Sequence, residues 1–210
     1  MISSTFRMGP DPMPRLRFAF ALLFALFSAA CLSPARPPRI EYYSAAVTRI
    51  VDDQESEVSD DTAQPRALSL RRVTAALHLK QRFVWSKDGV EFGFRELARW
   101  TEDPVEYLRR ALEDHLFTSS FVRTENAEAA RVEVEMRAFE ERLEPTRRAH
   151  VVLHVRVTGP GGGTFAERLI EEESPIDGDS HAATARAMSQ ALASAVRKAE
   201  ALLKDATSSL

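Results

Sequence analysis

The chain has 210 residues, of which 28% are charged and 44% hydrophobic, and carries a formal charge of −3. Leu, Ile, Val and Phe fill about a quarter of it, enough for a packed core and too many for intrinsic disorder. A single cysteine excludes a disulfide framework and any multi-cysteine metal site, and the mild acidity lacks the clustered Lys and Arg excess that nucleic acid requires.

Residues 18–30 form an uncharged apolar run, preceded by Arg15 and Arg17 and followed at once by Cys31, the only cysteine. Thirteen residues are too few to span a bilayer, which takes about 20. A basic start, a short apolar stretch and small residues before a cut site make a secretory signal. The stretch before Arg15 is long for such a signal, and a start at Met13 gives a more usual length. Ser28-Ala29-Ala30-Cys31 resembles the lipobox of bacterial lipoproteins, with Ser28 where Leu is usual. Cleavage is expected between Ala30 and Cys31, with Cys31 as the lipid attachment site. Residue 32 is Leu and not Asp, which in the enteric sorting rule directs a lipoprotein to the outer membrane. Without residues 1–30 the chain carries −5, so a covalent anchor, and not charge, would hold it to a membrane.

Residues 31–39 comprise the lipidated cysteine and a tether with three prolines, extended and at most about 25 Å long. A domain is expected over 40–206. Residues 40–47 read as a first strand, and the six acids without a base between Asp52 and Asp61 as a solvated loop. A second strand is predicted near 67–73. Residues 82–86 and 90–95 flank Lys87-Asp88-Gly89, and Asp-Gly between aromatic and β-branched runs predicts a hairpin. Asp103-Pro104-Val105-Glu106 predicts a helix with Asp103 as N-cap, burying Val105, Leu108, Leu112 and Leu116.

Residues 131–137 and 151–157 alternate apolar and polar, which predicts antiparallel half-buried neighbours with a solvated outer face carrying His150, Val152, His154 and Arg156. The glycines around 159–163 turn the chain into a strand from Thr164 to about Ile170. From about 180 to 206, Ala185, Met188, Leu192, Val196, Ala199 and Leu203 form one apolar stripe of a helix roughly 40 Å long. The expected fold is α+β: a mixed or mainly antiparallel sheet with two helices packed on one face.

Little in the sequence points to catalysis. His150 and His154, four apart on a strand, lie about 13 Å from each other and cannot share an ion. Gly159-Pro-Gly-Gly-Gly163 lacks the Lys-Ser/Thr and the helix of a phosphate loop. There is no nucleophile elbow, zinc-binding helix or Cys/His pair, so neither an enzyme nor a cofactor is expected. Trp85, Phe92, Phe94 and Trp100 cluster around the hairpin; core is their first reading, and any exposed member could serve a partner.

Taken in order, the lipobox, Tyr42-Tyr43 after the tether, His78-Leu-Lys-Gln-Arg-Phe-Val-Trp85, Asp88-Gly-Val-Glu-Phe-Gly-Phe94, Arg99-Trp-Thr-Glu102, Pro104, Tyr107-Leu-Arg-Arg-Ala-Leu112, Ala138-Phe-Glu-Glu141 and Ala187-Met-Ser-Gln-Ala-Leu192 resemble the ABC-type transport auxiliary lipoprotein family. That family includes the PqiC-like accessories of MCE-domain lipid transporters. The resemblance implies a non-catalytic lipoprotein on the periplasmic face of the outer membrane. It would dock on a periplasmic MCE-domain protein of an ABC transporter and assist transfer of lipid or another hydrophobic molecule between the membranes. It would bind no nucleotide, the energy coming from a separate ATPase. The two aromatic strands and the long helix add the expectation of homo-oligomerisation or ring docking. The competing reading is a structural or assembly lipoprotein of the outer membrane, lipopolysaccharide-assembly-like or Tol-associated, that binds a protein and moves no lipid.

Overall fold

A computed structural model describes residues 38–45 and 66–208. The apolar leader, Ala30, Cys31, most of the tether and the acidic stretch 52–61 lie outside the described residues. Among the described residues there are eight strands and two helices: β1 (Glu41–Tyr43), β2 (Arg66–Ala75), β3 (Arg82–Lys87), β4 (Glu91–Trp100), α1 (Pro104–Ser119), β5 (Phe121–Arg123), β6 (Ala130–Arg142), β7 (Arg148–Thr158), β8 (Thr164–Pro175) and α2 (His181–Ser208). All strands join one mixed sheet, and the α+β expectation holds.

β6 is the axis of this sheet. One edge pairs antiparallel with β7 over its whole length, and β7 in turn pairs antiparallel with β8. The other edge is shared by two strands set end to end: β2 runs parallel along residues 130–136, and β3 runs parallel along 140–142. Between them residues 76–81 leave the ladder, tied down by the Ala76 amide donating to the Met136 carbonyl at 2.9 Å. β3 then turns back into β4, and β1 lies parallel to β4 with Glu41 opposite Ala98 and Tyr43 opposite Trp100. β5 lies parallel to the start of β2.

A bulge between Met136 and Ala138 resets the alternation of β6. Before it Val132, Val134 and Met136 point into the core; after it Phe139 does. The core lies between the sheet and the two helices, and α2 packs on β7 and β8 through its stripe of Ala185, Met188, Leu192, Val196, Ala199 and Leu203, all buried. The alanines let the helix axis approach the sheet closely, while Met188, Leu192 and Leu203 fill the space between them. α1 buries Leu108, Leu112 and Leu116 against α2 and β2. An aromatic group closes the same core toward the β1 side: Phe83 stacks on Trp100 at 3.8 Å, and Tyr43, Tyr107 and Phe139 lie around them.

Several expectations need correction. The first strand is three residues long, and Val47 lies outside the described residues. β8 continues to Pro175, five residues past the expected end, because it follows β7 to Arg148. Asp103 stands at the N-cap of α1, but its side chain does not cap: the Glu106 amide donates to the Asp103 carbonyl, while the carboxylate meets Lys80 at 3.4 Å. The face of the sheet opposite the helices is not uniformly solvated, since His150, Val152 and Glu140 are buried there.

Leu112 is fully buried between α1 and its neighbours. Leu112→Ala is therefore expected to cost about 2–5 kcal/mol, the usual range for a core leucine that leaves a cavity, read as a lower denaturant midpoint at unchanged slope in urea unfolding.

Candidate functional site

The hairpin of β3 and β4 forms where the sequence predicts it. Asp88 and Gly89 both have positive φ, 53° and 66°, the backbone of a type I′ turn, and the Val90 amide donates to the Lys87 carbonyl at 3.1 Å. Trp85 lies across from Gly93, and a Cβ at 93 would come within 2.2 Å of the indole, so glycine is required for the ring to lie flat there. The aromatic cluster divides. Trp100 is core and Trp85 is half-buried on Gly93. Phe92 and Phe94, opposite Ser86 and Val84, share one face, but that face is exposed: they retain 52% and 43% of their accessible surface. The core reading fails for these two because the helices pack on the other side of the sheet. His78, from the 76–81 excursion, lies 6.1 Å from the Phe92 ring, and the Arg82 guanidinium sits 5.3 Å from the centre of the Phe94 ring.

Beside the hairpin, on the same helix-free face, lies a polar group assembled by β3, β6, β7 and β8. Ser86 donates to Glu140 at 2.7 Å; His150, 4% exposed, stands 3.5 Å from Glu140 through Nδ1 and 2.7 Å from Glu171 through Nε2. Arg142 reaches Glu173 at 2.6 Å, Glu171 at 3.4 Å and the His150 ring at 3.1 Å. Burial works against ionisation of Glu140, yet the hydrogen bonds from His150 and Ser86 outweigh it and hold its carboxyl below the usual range. Glu171, bonded to His150, is held low as well.

His150, Glu171 and Glu173 bring their ligand-type atoms within 4.8 Å of one another, a set the sequence does not reveal because Glu171 and Glu173 come from β8, 21 and 23 residues away. The Arg142 guanidinium donates to Glu173 and Glu171, lies against the His150 ring and supplies the positive charge that a cation would. His154 belongs to a separate arrangement, with Glu167 at 2.7 Å. Nor do Ser86, Glu140 and His150 form a nucleophile, since the serine is fully buried and donates to the carboxylate, not to the imidazole.

The rest of this face is a mosaic of paired charges. A shallow groove of about 290 Å³ is lined by Arg72, Thr74, Glu133, Glu135, Arg137, His154 and Arg156, with Arg137 on Glu135 and Arg156 on Glu167. Across the sheet, on the helix side, Glu141 is buried between Arg95 at 2.8 Å and Arg147 at 2.6 Å. The site residues therefore offer hydrogen bonding, charge and apolar contact. Among the described residues no helix is long and apolar enough to cross a membrane.

Because the folded-state value of Glu140 lies below its ordinary 4.5, the stabilisation tied to its ionisation is complete above that value and lost as pH falls through the folded one. Glu140→Gln should be less stable than the parent at pH 7, with the gap closing below about pH 4, measured by urea unfolding across that range.

Comparison with known proteins completes the picture. No curated protein matches the chain. Among solved structures, protein XCC0632 from Xanthomonas campestris has a similar fold at a TM-score of 0.63 and 18% identity, over 80% of this chain and 97% of that one. The hypothetical protein CT253 from Chlamydia trachomatis is similar at a TM-score of 0.51 and 8% identity, over 67% of this chain and 96% of that one. At these identities the likeness is one of fold. The model of the ABC-type transport auxiliary lipoprotein component family matches residues 51–199, from the acidic stretch through most of α2. The chain belongs to the family of auxiliary lipoprotein components of ABC-type transport.

Proposed function

We propose that this lipoprotein is a non-catalytic accessory of an MCE-type ABC transport system. In this reading it is anchored through Cys31 to the periplasmic face of the outer membrane, docks on the periplasmic MCE-domain protein as a homo-oligomer or ring, and assists transfer of lipid or another hydrophobic molecule between the two membranes. The observation that carries the reading is the family match over residues 51–199, joined to a lone cysteine at the end of a 13-residue apolar run. The architecture supports an accessory role: the buried polar group is satisfied internally by Arg142, and its serine is out of reach of a substrate. Energy for transport would come from an ATPase on another chain.

The anchor is tested by labelling cells with a palmitate analogue, comparing the parent with Cys31→Ala. Label on the parent, its loss in Cys31→Ala, and recovery of the parent with outer-membrane fractions are the expected results; an unlabelled, soluble parent overturns the anchor. The accessory role is tested by purification with the MCE-domain protein from the same transport locus. Retention of that protein, with light scattering of the lipoprotein giving a mass several times the monomer, is expected. Recovery instead of an outer-membrane assembly protein, with no MCE partner, would favour the structural reading.

A further inference from the structure

The exposed aromatic hairpin has a definite position relative to the point where the chain enters the domain. β1 runs parallel to β4, with Glu41 opposite Ala98, so residues 38–40 precede that register on the side toward Phe94, Phe92 and the turn. The chain therefore enters along the open edge of β4 from the hairpin end. From the level of position 95 to Val90 is five residues of strand, about 17 Å. Cys31 is seven residues upstream of Pro38, a reach of at most about 25 Å. A group attached at Cys31 can lie level with the turn. The opposite end of the sheet, where β2 starts beside β5, lies the full length of 13-residue β6 away, about 43 Å.

The surface at the hairpin end suits a bilayer interface. Val90 is 84% exposed, and Phe92 and Phe94 present their rings on one face. Arg82 lies over the Phe94 ring and Lys87 stands beside the turn, where long cationic side chains can reach headgroups from an apolar surface. Of the charges nearby, Lys87 meets Glu144, and Arg147 meets Glu141 and Asp179, while the acids of the turn itself, Asp88 and Glu91, are exposed. Such a surface does not need anionic lipid. Phe92 and Phe94 alone would give weak partitioning, but a tether this short raises the local concentration of membrane enough for a weak contact to set orientation.

The geometry points to the β3–β4 hairpin, through Val90, Phe92 and Phe94, as a membrane seat: a surface that rests on the lipid interface of the membrane holding Cys31 and orients the domain upon it. This rests on the anchor proposed above, and the test is arranged so that the two fail separately.

Residues 31–210, which contain the domain with its whole core, are coupled through their single thiol to maleimide lipid in phosphatidylcholine vesicles, so that tethering does not depend on lipidation in cells. Phe92→Trp is compared with Leu169→Trp, an exposed position on β8 opposite His154, and the fluorescence of the parent is subtracted from each. With acyl-brominated phosphatidylcholine, the indole introduced by Phe92→Trp should lose about half its emission, as expected for a ring at the interface, while the one introduced by Leu169→Trp should be little affected. Adding Val90→Ser and Phe94→Ser should abolish the quenching with the chain still coupled. Equal quenching at both positions, or none at either, overturns the seat. Shielding of the indole in the Phe92→Trp variant from aqueous iodide only after the MCE-domain protein is added, without bromolipid quenching, overturns it in favour of a protein interface. Quenching here with no palmitate label in cells would retain the seat and remove the native anchor; label without quenching would do the reverse.

Discussion

Everything in this fold hangs on the backbone hydrogen bonding of β6. A strand in the middle of a sheet must satisfy donors and acceptors on both edges, and β6 has 13 residues to cover. β7 covers one edge completely. No single strand covers the other, so β2 and β3 divide it, and the six residues between them leave the ladder. That division places His78 over the helix-free face beside Phe92. It also sets β3 directly beside β6, from where the chain folds back as a hairpin whose far edge, β4, receives β1.

The bulge in β6 has an equal influence on the chemistry. By resetting the alternation after Met136 it decides which of Glu140 and Glu141, adjacent in sequence, goes to which face, each buried and each with its own partners. Glu141 is neutralised by Arg95 and Arg147 on the helix side. Glu140 is held by Ser86 and His150 on the other. Buried carboxylates are tolerated only when such partners are supplied. The bulge therefore commits β3, β7 and β8 to carrying polar side chains at fixed positions.

The elements that can be read from the sequence are those whose cause is local. Asp88-Gly89 specifies its turn through backbone preference alone, and the stripe from Ala185 to Leu203 specifies the buried side of α2 by spacing. The alternation over residues 131–137 and 151–157 likewise points to an antiparallel pair. What cannot be read depends on distant partners. Nothing local to Phe92-Gly-Phe94 tells which side of the sheet the helices will cover, so two large aromatics on one face suggest core where the structure exposes them. His150 looks solvated in sequence because it shares its face of the strand with Arg148, His154 and Arg156, Val152 being the one apolar member, whereas its burial comes from Glu140, Arg142 and Glu171. The proposed lipid site is a different case: Cys31 is singled out by its local surroundings, and it lies outside the described residues.

The end-to-end placement of β2 and β3 also has a temporal side. Leu68 pairs with Ala130 and Val84 with Glu140, partners separated by 62 and 56 residues. β2 cannot take its place beside β6 until the chain has been delivered as far as Met136, nor β3 until Arg142, and closing loops of that length is a slow, nonlocal step. A chain delivered amino end first must therefore wait, with β2 and β3 unpaired along the β6 edge, while the later strand is supplied. During that interval the β3–β4 hairpin, with its local turn, can form by itself, whereas the β1–β4 and β2–β5 pairings also available before β6 join distant segments. The hairpin with the exposed aromatics is thus the first sheet structure this topology allows.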